Sequence, residues 1–114
     1  MVTNGFYKIS YAGRTGSGFG LLAFLGGVVS GLDEAGVQYE GTYDEDSDTG
    51  AVQFSVRATI PANVGLVIGV PPKAEAWSFT VDAVLPPGFD TGTPVPLRTP
   101  YGPVKVEFRL MRAL

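Results

Sequence analysis

The sequence predicts an all-β fold, an eight-stranded up-and-down antiparallel barrel, and three observations carry that expectation. Apolar residues recur at every second position in five separate runs, the period of a strand with one face on a core and one in water. Sixteen glycines and nine prolines punctuate the chain, as short strands and tight turns require. No segment sustains a helical period, and Lys73–Ala76 is the one short helical candidate. Closing the strands into a barrel leaves no free edge to protect; a two-sheet sandwich is the alternative arrangement. A chain of 114 residues, 45% hydrophobic, makes one domain over residues 1–114 with a packed core.

Taken in order, Gly5–Tyr11 is the first strand, with Tyr7, Ile9 and Tyr11 on one side and Phe6, Lys8 and Ser10 on the other. Ala12–Ser17 is a turn. Gly18–Leu25 is the second strand and is apolar on both faces. Gly26-Gly27 supplies the positive φ of a two-residue hairpin, and Val28–Asp33 is the third strand. Residues 36–60 form a hairpin: Val37, Tyr39, Gly41 and Tyr43 face one way before an acidic turn, and Val52, Phe54, Val56, Ala58 and Ile60 after it. Val64–Val70 is a short sixth strand, ended by Pro71-Pro72. Trp77–Leu85 is the seventh, with Trp77, Phe79, Val81, Ala83 and Leu85 inward. Pro86–Pro103 holds six of the nine prolines without periodicity and reads as a connection, a lid or a contact surface. Val104–Met111 closes the barrel with Val104, Val106, Phe108 and Leu110 inward.

Composition narrows the chemistry. With no cysteine there is no disulfide framework and no thiolate metal site. With no histidine the commonest general base and metal ligand are missing, along with every His-dependent triad. The expectation is a protein that is not an enzyme and carries no cofactor. The net charge of −3 hides an asymmetry: residues 15–56 contain seven acids and no Lys or Arg, while both flanking stretches are weakly basic. An acidic half disfavours direct contact with nucleic acid and suits a basic protein partner. The beginning of the chain, MVTNGFYK, carries no export pattern, and the apolar run 19–29 is far too short to span a membrane. The expected location is cytoplasmic, without membrane association.

The acidic turn is the most distinctive feature. Asp44, Glu45, Asp46 and Asp48 place four carboxylates in five positions. The alternating aspartates suggest a calcium loop, but Thr49 stands where the loop needs glycine and Ser55 where it needs a bidentate Glu, so no metal is assigned. The turn is also a good place for solvated charge, and aspartate is a good turn former. Clustering nonetheless costs roughly 0.7 kcal/mol per pair at about 6 Å in water before salt screening. A cluster of this kind serves capture of a basic surface better than it serves solubility alone.

Other candidates read as structural. The glycines of GRTGSGFG match no phosphate loop and precede no helix, so they mark a turn and a strand in close contact with its neighbour. Asp33-Glu34 lacks an opposing carboxylate and reads as strand-end or turn charge. Tyr7, Tyr39, Tyr43, Phe54, Trp77, Phe79 and Phe108 share the inward faces. They fill a core or, alternatively, line a cavity for a small apolar ligand, for which Tyr7, Tyr39, Tyr43, Phe54, Trp77 and Phe108 are the contact candidates. Inward tyrosine hydroxyls need partners, which a polar ligand or trapped water could supply. Phe19, Leu21, Leu22 and Phe24 present more apolar surface than one barrel face can bury, which points to a homodimer.

The order GFYKISY, GFGLL, Gly31-Leu32-Asp33 and Tyr39-Glu40-Gly41-Thr42-Tyr43 before an acidic turn resembles the GrlR family over residues 4–56. These are negative regulators of type III secretion genes. The resemblance implies a lipocalin-like barrel, a homodimer, and an exposed Glu-Asp-Glu-Asp turn that binds and silences a helix-turn-helix activator. Here that motif falls on Glu45, Asp46, Ser47 and Asp48, with Ser47 in place of the second Glu and Asp44 adding charge before it.

Overall fold

The computed structural model describes residues 2–114. The described residues form eight strands and no helix: β1 (Gly5–Gly13), β2 (Gly16–Leu25), β3 (Val28–Asp33), β4 (Gln38–Glu45), β5 (Val52–Ile60), β6 (Trp77–Leu85), β7 (Val95–Thr99) and β8 (Gly102–Ala113). All pairings are antiparallel, in the order β6-β5-β4-β3-β2-β1-β8-β7. β6 and β7 approach each other without a ladder, so the sheet is an up-and-down barrel that is nearly closed.

The period-two runs place their apolar sets as expected. Val52, Phe54, Val56, Ala58 and Ile60 are all buried, while Gln53 and Arg57 between them are exposed. On β2, Leu22 and Phe24 point inward and Phe19 and Leu21 lie outside. One register shift, between Phe6 and Tyr7 against β8, leaves Met111 without a partner on β1 and exposed. Such a bulge bends a strand and sharpens its twist, which helps a small sheet close on itself.

Three elements differ from the sequence reading. Val64–Val70 is not a strand. It folds back on itself through Leu66 N–H to Val70 O (2.9 Å) and Gly69 N–H to Leu66 O (3.0 Å) and buries Ile68 across one end of the barrel. A short apolar run satisfies a plug as well as a ladder, and periodicity does not separate the two. Residues 73–76 form no helix. The eighth strand comes instead from within the proline-rich connection, where Val95 and Leu97 are buried on β7. Proline masked it: Pro96 is exposed on a strand that pairs only with β8, the one place where a missing N–H costs no ladder bond. That connection contributes Leu97 and Thr99 of β7 to the wall of the cavity described below. Its Phe89 is buried against Tyr7, Phe24 and Phe108 and plugs the opposite end.

Candidate functional site

The barrel interior divides into two unequal halves. At the end bearing the β4–β5 turn it is solid. Phe24 lies 4.7 Å from Tyr7 and 5.0 Å from Tyr43 between ring centroids, with Phe54, Phe89 and Phe108 completing the cluster. Tyr7 Oη donates to Thr3 O (2.6 Å) and Tyr43 Oη to Asn4 Oδ1 (3.3 Å), so the chain itself satisfies these hydroxyls. Burial, and next the charge of Asp90, push the Tyr7 hydroxyl's pKa up.

At the other end lies a cavity of about 180 Å³. Its walls are apolar, with Ile9, Leu22, Val56, Val81, Val106 and Phe108 among them, and Leu66, Val67 and Ile68 of the plug segment form its cover. Of the six proposed ligand contacts, Tyr39, Phe54 and Phe108 line this cavity. Tyr7 and Tyr43 belong to the solid half. Trp77 sits beside the barrel mouth with Phe79 and Tyr101, its indole N–H buried without a partner among the described residues and the Lys73 ammonium 4.1 Å from its ring.

The polar centre of the cavity is Asp33, buried at the end of β3. Its Oδ1 accepts from the amides of Ala35 (2.9 Å) and Val37 (3.0 Å), which shapes the tight turn into β4. Its Oδ2 accepts from Tyr11 Oη and Tyr39 Oη, each at 2.8 Å. Burial first, then Asp33, push the ionisation of both tyrosines well above the ordinary range for phenols, so both hold their protons at neutral pH. Reading Asp33 as turn charge accounts for Oδ1 only. The signal for the rest was present: Val29, Gly31 and Asp33 share the inward side of β3, and Tyr11 shares that of β1 with Tyr7 and Ile9.

The glycines of β2 make this arrangement possible. A Cβ on Gly18 would stand 2.6 Å from Tyr11 Oη and 2.8 Å from Glu34 Oε1. Close contact with the neighbouring strand is therefore the reason for this glycine, as the sequence suggested, and the tyrosine is what occupies the space.

The acidic turn lies at the solid end. Asp46 builds it: its Oδ1 accepts from the amides of Asp48 (2.8 Å) and Thr49 (3.3 Å), and its main chain pairs with Ala51 and Gly50. Gly50, at φ 75°, takes the left-handed position that closes the turn. Glu45 accepts from the amide of Val2. Asp44 and Asp48 are exposed, and among the described residues no Lys or Arg pairs with either. The nearest cross-strand ion pair on this hairpin, Glu40–Arg57 at 2.5 Å, is further down the ladder and solvent-exposed on both sides.

On the outer surface, Phe19, Leu21, Leu25, Val28 and Leu32 are exposed on β2 and β3, with Leu21 opposite Leu32 and Leu25 opposite Val28. Together they form a contiguous apolar stripe. Among the described residues no helix is long and apolar enough to cross a membrane. Comparison of the chain with family models, curated proteins and solved structures returned no match.

Proposed function

We propose that this barrel is a non-enzymatic regulatory protein that sequesters a basic, DNA-binding transcription activator through its acidic turn, as the resemblance to GrlR regulators of type III secretion implies. One observation carries the reading. The turn is preformed by Asp46, so Asp44 and Asp48 are held in solvent with no cation of their own among the described residues. A preformed anionic tip loses little conformational freedom on docking and steers a cationic partner toward it. The partner class is a helix-turn-helix protein, whose DNA-binding surface is basic; the setting is the cytoplasm, and the working unit is a homodimer joined through the β2–β3 stripe. The test is salt-dependent binding of the full chain to such an activator purified from the same host. Asp44→Asn with Asp48→Asn weakens binding at least ten-fold with no loss of thermal stability. Unchanged affinity in that double variant overturns the proposal.

A second reading is favoured by the cavity: a small lipocalin-like barrel that takes up an apolar molecule as carrier or sensor. A volume of about 180 Å³ within aliphatic and aromatic walls around a single buried carboxylate is more space than a finished core leaves. The two sites lie at opposite ends of the barrel and do not exclude each other.

A further inference from the structure

We propose that the cavity is a site for a one-ring amphiphile that carries a hydrogen-bond donor, a hydroxyl or an ammonium, and that it rejects carboxylates. This inference rests on the second reading above and names its ligand.

The size follows from the volume. An apolar cavity of about 150 Å³ holds one benzene, so about 180 Å³ accommodates one ring with a short arm or an aliphatic chain of similar bulk. The entrance follows from the wall. Ser17, Glu34, Ala35 and Gly65 line the cavity and are exposed, which opens it to solvent between the start of β2, the β3–β4 turn and the plug segment.

The head group follows from proton bookkeeping. All four acceptor positions of the Asp33 carboxylate are taken, two by backbone amides and two by the hydroxyls of Tyr11 and Tyr39. Each hydroxyl has spent its proton on Asp33. Toward the cavity both phenolic oxygens therefore offer lone pairs, and a ligand meets acceptors. Charge points the same way: Asp33 and Glu34 line the cavity, and no Lys or Arg does. A carboxylate entering here would pass the exposed Glu34 at the mouth and face Asp33 in the apolar interior, with no Lys or Arg in the wall to offset either charge. The expected preference is thus the reverse of a fatty-acid carrier's.

The test titrates the full chain, followed by amide NMR, with four compounds on one ring and a short arm: 2-phenylethanol, 2-phenylethylamine, benzyl methyl ether, and phenylacetate. The alcohol and the amine are expected to shift the amides of Tyr39, Val56 and Val81 and to bind at least ten-fold tighter than the ether, an isomer of the alcohol that has no donor, and than phenylacetate. Val81→Phe, which fills the cavity, is expected to abolish these shifts while its spectrum stays that of a folded barrel. If that variant does not fold, the pattern of shifted amides in the natural chain locates the site by itself. An ether or carboxylate that binds as tightly as the alcohol overturns the head-group assignment and leaves the cavity reading in place. If no compound moves those amides, both fall.

Discussion

Tyr11 on β1 and Tyr39 on β4, on strands separated by two others, donate to the same oxygen of Asp33 at 2.8 Å each. The contact closes the interior polar surface of one end of the barrel and ties β1 to β3 and β4, neither of which it pairs with. A hydrogen bond to a buried carboxylate contributes more than one between neutral groups, and losing the acceptor leaves two donors stranded.

Asp33→Ala is accordingly expected to destabilise the chain by about 3 kcal/mol or more, since it strands two hydroxyls and two amides together. Tyr39→Phe removes one donor and is expected to cost about 1–2 kcal/mol. Urea unfolding of both variants measures this, and equal costs for the two would contradict the shared-acceptor arrangement.

Alkaline pH should expose the same pair. In the unfolded chain these tyrosines ionise near pH 10, whereas burial and Asp33 keep Tyr39, and to a lesser degree Tyr11, protonated in the fold. The unfolded state then binds fewer protons, so their contribution is intact below about pH 10 and declines above it. The slope from Tyr39 is about 1.4 kcal/mol per pH unit, with a smaller share from the less buried Tyr11. Stability measured from pH 9 to 11.5 should fall more gently in Tyr39→Phe than in the natural chain.

The acidic turn separates its builder from its display. Asp46→Ala loses the two amide contacts of its side chain and is expected to cost about 1 kcal/mol. Asp44→Asn and Asp48→Asn relieve like-charge repulsion and are expected to leave the melting temperature unchanged or slightly raised. Thermal melts at low and high salt check both, because the relief shrinks as salt screens it.

Gly18→Ala sets a methyl against Tyr11 Oη and Glu34 Oε1 and is expected to destabilise by about 1–3 kcal/mol, as overpacking does. Combining it with Tyr11→Leu should recover part of that loss, since Tyr11 Oη and the ring Cζ, which would stand 2.7 Å from the added methyl, are then both gone. A strictly additive double variant would mean that Gly18 is needed for some other reason.

The outer stripe predicts assembly. Light scattering of the natural chain is expected to give a dimer, and Leu21→Glu with Leu32→Lys, side by side on β2 and β3, a folded monomer. A monomeric natural chain would overturn the homodimer.

Most of the barrel was legible because a strand's two faces are written in alternate residues. β5 shows every inward position of Val52 to Ile60 apolar, and the burial follows it. The misreadings share one cause. Val64–Val70 and Val95–Thr99 are both short and apolar, and what separates a plug from a strand is which partner each one reaches in the closed barrel. Val95–Thr99 lies along β8 despite Pro96, whereas Val64–Val70 bonds back on itself and to Thr15 across the barrel end. Of the candidate sites, the acidic turn could be read residue by residue, because its members are adjacent in the chain. The cavity could not, because Tyr11, Asp33 and Tyr39 meet only after three strands have taken their places.

The sequence by itself determined the all-β class, the inward faces of five strands and the acidic turn, since period-two patterning and turn chemistry act between near neighbours. Only the tertiary structure decided which apolar stretches pair and which plug, where the interior is solid and where it is hollow, and that Asp33 serves two tyrosines besides its own turn. Those outcomes depend on volumes and partners brought together by barrel closure, and a linear pattern encodes direction but not what stands across the gap.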